Sequence, residues 1–153
     1  MQNLDEYDLK LLRLLQQNNQ LPAKELGDAV NLSASAVQRR LVRLREERII
    51  EADVSIISPA AMGITVTCIV NVILHDGHST EIDKFRKMML ECEEVTQCYF
   101  VTGSYDFVVI VQARDMSHYE EFSKRTLMDN KNVKHFYTHV VLDKVKRVTP
   151  KVK

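Results

Sequence analysis

Apolar and polar residues alternate with two different periods along the chain. In the first third, Leu4, Leu11, Leu12 and Leu15 recur at helical spacing. Asp5 is placed to cap that helix, and Asp8 adds a favourable negative charge to its first turn. A polar stretch, Gln16 to Gln20, ends the pattern. Pro22 suits the first position of a second helix, with Ala23, Leu26 and Val30 on one face. Asn31 and Leu32 make a short turn. Ser33 then caps a third helix in which Val37, Leu41 and Leu44 fall at i, i+4 and i+7. Three short helices with a tight turn between the last two predict a helix-turn-helix unit.

Beyond residue 48 the period changes. Ile49 to Ile57 reads as an extended connector, closed by Ser58-Pro59 and Gly63. Ile64 to Leu74 alternates with period two, as in a strand with one buried face. His75 to Ser79 is a turn, and Ile82, Phe85, Met89 and Cys92 mark an amphipathic helix. Val95 to Thr102 and Phe107 to Ala113 are two further strands. Met116 to Met128 is a second helix, apolar at Tyr119, Phe122 and Leu127, and Val133 to Leu142 is a last strand. The order β-α-β-β-α-β predicts a ferredoxin-like module, with two helices on one face of a four-stranded antiparallel sheet. Nothing in the chain covers Ile69, Ile73, Tyr99, Val108 and Ile110 on the other face, which predicts self-association. The expected fold class is α+β. A winged-helix-like, three-helix domain spans 1–50, an extended linker strand 51–63, and the ferredoxin-like domain 64–153.

A net charge of +0 would argue against a polyanionic partner if charge were evenly spread. It is not. Residues 33–48 hold five arginines (39, 40, 43, 45 and 48) against two glutamates, a net of +3. Residues 51–142 carry a net of −5, and residues 143–153 a net of +4. On the third helix, at about 100° per residue, Leu41 and Leu44 lie within about 40° of Val37. Ser35, Arg39 and Val42 then point the opposite way, flanked by Gln38 and Arg43. That face suits a helix entering the major groove of double-stranded DNA. Ser35, Gln38 and Arg39 are placed for base edges and Val42 for a thymine methyl. Arg40, Arg43 and Arg45 are placed for phosphates, and Ser33 completes the candidate DNA-binding set. A single small unit of this kind binds weakly, so paired units on palindromic half-sites are expected.

Composition narrows the remaining classes. In 153 residues, 45% apolar and 27% charged, the chain matches a soluble globular protein. No apolar run approaches the roughly 20 residues of a membrane-spanning helix. The acidic N-terminus lacks an export signal, so no membrane partner and a cytoplasmic location are expected. Cys68, Cys92 and Cys98 lack metal-site spacing and are expected as reduced thiols in packed positions. His75 and His78 have no third ligand nearby, and His118, His135 and His139 are scattered, so neither metal nor cofactor is expected. Met88, Met89 and Met116 read as core filler. The basic tail, Lys144 to Lys153, is a disordered solubilising end or an extra phosphate contact.

Residues 100–109, FVTGSYDFVV, interrupt the strand pattern with Gly103, Ser104, Tyr105 and Asp106. One reading is a hairpin turn in which Asp106 bonds backbone amides. Another is a ligand site. Amides around Gly103 would take a carboxylate, Asp106 an ammonium group, and Tyr105 would wall a side-chain pocket.

The stretches LDEYDLKLLRLLQQN, ELGDAVNLSASAVQRRLVRL and RIIEADVSIISPAAMG resemble the leucine-responsive/asparagine-regulator (Lrp/AsnC) family of transcription factors. The family usually has glycine where this chain has Arg48. The resemblance extends over nearly the whole chain. It implies a C-terminal domain that builds dimers and then larger rings, commonly octamers, with an effector site between dimers at a T-G-x-Y/F-D loop. Thr102, Gly103, Ser104, Tyr105 and Asp106 match that loop, and Thr138 is a further candidate to line the pocket. The expected function is therefore a sequence-specific DNA-binding transcriptional regulator that responds to a small effector, an amino acid. The alternatives are an effector-independent regulator that wraps DNA, or an enzyme on the ferredoxin-like module. The chain shows no serine, cysteine or histidine constellation near the turn to favour an enzyme.

Overall fold

A computed structural model describes residues 4–75, 78–146 and 151–152. Positions 76 and 77 of the expected turn, and 147–150 and 153 of the basic tail, lie outside these residues. The chain divides into two compact units, Met1–Ile56 with Lys146–Lys153, and Ile57–Val145.

The first unit holds helices α1 (Glu6–Gln17), α2 (Ala23–Val30) and α3 (Ala34–Glu46). Asp5 caps α1 reciprocally. Its carboxylate accepts the Asp8 N–H at 2.8 Å, and its own N–H donates to Asp8 at 3.2 Å. Pro22 sits one position earlier than expected, as the cap of α2. Its ψ of 148 keeps it extended, while its carbonyl accepts the Leu26 N–H at 3.0 Å. The turn into α3 depends on a close approach. Asn31 takes a left-handed φ of 59, the Leu32 N–H reaches the Gly27 carbonyl at 2.9 Å, and a Cβ on buried Gly27 would overlap the Leu32 carbonyl oxygen. Ser33 caps α3 through the Ala36 N–H at 3.2 Å. Leu11, Leu26, Val37 and Leu44 form the centre of the core.

At the end of α3, Arg48 adopts a φ of 54. The Ile49 N–H returns to the Leu44 carbonyl at 2.9 Å and the Arg48 N–H to that of Arg45 at 3.0 Å. This is the two-bond left-handed ending that glycine favours, made here by an arginine.

The second unit is a four-stranded antiparallel sheet of β1 (Val66–Leu74), β2 (Val95–Phe100), β3 (Phe107–Ala113) and β4 (Val133–Val140), in the order β2-β3-β1-β4. Helices α4 (Ser79–Glu91) and α5 (Met116–Ser123) contribute Phe85, Met89, Tyr119 and Phe122 to a core with Val70, Val72, Val109 and Val111 from the sheet. This is the expected ferredoxin-like order. On the opposite face the register sets Ile69 beside Ile110 and His139, and Val108 beside Tyr99 and Asn71. That face thus carries β4 histidines as well as the expected apolar residues.

Several expectations are corrected. No strand forms over 51–57; the backbone there is irregular and is followed by one tight turn, Pro59–Met62. A strand needs a ladder partner, and among the described residues none pairs with this segment, whose Val54, Ile56 and Ile57 are exposed. The second helix of this unit ends at Ser123, and a wider π-turn spans Lys124–Met128, with the Asp129 N–H on the Lys124 carbonyl at 3.0 Å. Cys98 is exposed on edge strand β2 rather than packed, and Met116 is half-exposed. The chain's end belongs with the first unit. The Val152 N–H donates to Gln16 Oε1 at 2.9 Å and its side chain packs on the helical core.

Candidate functional site

Helix α3 presents a bare polar face because its apolar stripe is consumed. Val37 and Leu44 are fully buried and Leu41 nearly so. Ser35, Gln38 and Arg39 are exposed opposite them, and Val42 is 52% exposed, an apolar side chain left in water. Ser33 Oγ is occupied as the cap and lies 3.1 Å from Ser35 Oγ.

The arginines divide into two groups. Sequence reasoning places Arg40, Arg43 and Arg45 at phosphates; the structure gives each a carboxylate within its own unit. Arg40 donates to Asp5 at 2.7 Å and to Asp8 at 2.8 Å, Arg43 donates to Asp8, and Arg45 donates to Asp53 at 2.7 Å. For Arg40 and Arg43 the physical reason is that the capping box of α1 brings two carboxylates against the flank of α3, whereas Arg45 reaches a carboxylate in the segment after its own helix. Among the described residues, Arg39 and Arg48 have no carboxylate partner. The local net of +3 therefore overstates the free positive charge on this surface. Asp5 is held below the usual carboxylate range, first by the Asp8 N–H; burial opposes this, and the Arg40 guanidinium adds to it. Arg40 is raised by its bonds to Asp5 and Asp8.

In the second unit the 102–106 turn stands between β2 and β3. Gly103 has a φ of 118, and nothing lies within 4 Å of where its Cβ would be. The N–H groups of Thr102, Gly103, Ser104 and Tyr105 meet no acceptor among the described residues. Asp106 anchors the turn: its N–H donates to the Val72 carbonyl at 2.9 Å and its Oδ2 accepts the Leu74 N–H at 2.8 Å. The ring of Tyr105 meets that of Tyr137 edge-on at 5.9 Å. Thr138 is not brought to this turn within the chain. Strand alternation places it on the helix-covered face, bonded to the Tyr119 hydroxyl, and puts Tyr137 near the turn instead. A cavity of about 390 Å³ lies between α4 and β2, lined by Arg86, Met89, Leu90, Cys98, Phe100 and Phe107 among others, and includes no residue of the turn.

Two family descriptions match this arrangement, an AsnC-type helix-turn-helix domain over residues 4–45 and an Lrp/AsnC ligand binding domain over 67–150. The chain belongs to the Lrp/AsnC family. It is a transcriptional regulator of that type, with a helix-turn-helix and a ligand-binding domain, and its matches are regulators rather than enzymes. This Lrp/AsnC regulator is 48% identical over 143 residues to an uncharacterized HTH-type transcriptional regulator of Sinorhizobium fredii, covering 94% of this chain and 85% of that one. It is 33% identical to the DNA-binding transcriptional activator DecR of Escherichia coli, covering 95% and 96%. Among solved structures, a transcriptional regulator of Neisseria meningitidis in complex with L-methionine superposes with a TM-score of 0.89 at 27% identity, covering 96% and 95%. A feast or famine regulatory protein of M. tuberculosis complexed with L-methionine gives 0.88 at 25%, covering 99% and 100%. No helix among the described residues is long and apolar enough to cross a membrane, and no metal-holding group of histidine, cysteine and carboxylate side chains occurs among them.

Sequence reasoning passed over three residues of this Lrp/AsnC chain. Gly27 had a readable signal, a glycine inside a helical pattern, which costs stability unless packing needs it. Asp8 was visible only as a first-turn charge. Tyr137 became identifiable only with the β4 register, because a one-residue slip exchanges its face for that of Thr138.

Proposed function

We propose that this regulator binds specific DNA sequences through the exposed face of α3 and that its assembly or DNA contacts respond to an amino acid. The observation that carries the DNA reading is the pairing of buried Val37, Leu41 and Leu44 with exposed Ser35, Gln38, Arg39 and Val42 on one capped helix. Arg39, without a carboxylate partner among the described residues, is the principal base reader. Gln38 and Ser35 add hydrogen bonds and Val42 a methyl contact.

For the effector, the 102–106 turn offers unpaired amides to a carboxylate and Asp106 to an ammonium group. The L-methionine complexes of the Neisseria and M. tuberculosis proteins support an amino acid as the ligand class. The turn is a surface feature of the single chain, so a second copy is needed to close a pocket over it. The open face of Ile69, Ile73, Val108, Ile110 and Tyr99 supplies the first association surface, and larger assemblies up to octamers follow from repeating such contacts. An effector seated between copies then changes which palindromic half-sites the recognition helices occupy together.

The test is competition between a selected duplex and random DNA. Arg39→Ala is expected to cost about 1–3 kcal/mol on the selected duplex and to relax discrimination at one base position. Binding indistinguishable from the parent removes Arg39 from the interface. A parent with little preference for any sequence supports DNA wrapping instead.

A further inference from the structure

Among the described residues, Asp8 is the only charged side chain that is fully buried. Both of its oxygens are used. Oδ1 accepts from Arg40 at 2.8 Å, while Oδ2 accepts from Arg43 and from the Asp5 N–H at 3.2 Å. Asp5 adds a second hold on Arg40 at 2.7 Å, and the Tyr7 ring lies 5.4 Å from the same guanidinium. The Nε of Arg43 is buried without a hydrogen-bond partner and lies 4.0 Å from Glu47. The recognition helix thus gives two of its cations to an acidic clasp on α1.

A guanidinium on a phosphate contributes affinity that is independent of sequence and weakens with salt, whereas contacts to base edges discriminate. Arg40 and Arg43 lie on the flank of α3 between its buried stripe and its exposed face, where the helix backs towards a phosphate strand if its exposed face enters the groove. We propose that Asp8 is a specificity-determining residue that withholds Arg40 and Arg43 from the DNA backbone. Recognition is thereby left to Arg39, Gln38 and Ser35. This rests on the groove reading of α3, and it reverses the role that charge counting assigns to those two arginines.

The experiment measures binding of the full chain to a selected duplex and to a scrambled one between about 50 and 200 mM salt. In Asp8→Asn Arg43 loses its clasp carboxylate, and Arg40 keeps only Asp5. The slope of log K against log salt is expected to steepen by about 0.9 for each arginine that reaches a phosphate, and the ratio of selected to scrambled affinity to fall several-fold. Arg43→Gln leaves Asp8 paired to Arg40, so the fold is retained and the slope is expected to match the parent. A flattening of about 0.9 in Arg43→Gln makes Arg43 a phosphate contact and overturns the proposal. So does an unchanged slope in a folded Asp8→Asn protein. If Asp8→Asn does not fold by circular dichroism, Arg43→Gln decides alone. Failure of the groove reading is separable, since it shows as parent-like binding by Arg39→Ala whatever the Asp8 and Arg43 variants do.

Discussion

Asp106 accepts the backbone N–H of Leu74 at 2.8 Å, so the carboxylate proposed to meet an effector also fastens its turn to the end of β1. Only Oδ2 is used in this bond; Oδ1 has no partner among the described residues. The hairpin reading and the ligand reading of residues 102–106 are therefore compatible, each taking one oxygen.

The two roles separate by substitution. Asp106→Asn keeps an acceptor for Leu74 and removes the charge. It is expected to fold as the parent does and to lose any amino-acid-induced thermal shift or change in assembly. Asp106→Ala also leaves the Leu74 N–H unpaired, at a cost of about 1–3 kcal/mol in denaturant unfolding. A parent-like amino-acid response in Asp106→Asn removes the carboxylate from the ammonium site.

Arg48 occupies a left-handed position that costs an L-residue roughly 1–2 kcal/mol. Arg48→Gly relieves this strain while making the unfolded chain more flexible. The expected net gain is up to about 1 kcal/mol, read as a higher urea midpoint at unchanged m. Arg48→Ala keeps the strain and is expected to gain nothing. Equal midpoints for the glycine and alanine variants contradict this account of the α3 ending.

Acid should weaken the helical unit through Asp5. Its carboxyl is held below the usual value by the Asp8 N–H and, against the opposing effect of burial, by Arg40. A group depressed in the folded state stabilises fully above its unfolded value, about 3.9 for aspartate, and loses that contribution as pH falls through the folded value. Unfolding followed from pH 6 downward should thus show a loss beginning near about pH 4. Asp5→Asn preserves the cap and should flatten that acid limb. An identical pH profile in the variant assigns the acid sensitivity to other carboxylates.

Much of the architecture was legible because it follows from local chemistry. Asp5 and Ser33 announce helix starts through side-chain oxygens that cap their own backbones, and Val37, Leu41 and Leu44 mark a buried stripe by spacing alone. The alternation of β1 and β3 separates the two faces of the sheet. The T-G-S-Y-D segment was readable as a turn from its glycine and aspartate; its reading as an effector site came from the family resemblance.

What remained hidden depends on residues distant in sequence. Nothing in the spacing of Asp8 and Arg43 reveals that 35 positions of separation close into one ion pair. Counting charge along the chain therefore credited α3 with cations that α1 neutralises. The faces of Tyr137 and Thr138 likewise waited on the β4 register, and the place of Val152 on a long-range contact with the helical core. Periodicity and capping are properties of a few consecutive residues, and they settled the elements and the exposed face of α3. Which charges stay available to a partner is a property of packed neighbours, and folding in three dimensions alone decided it.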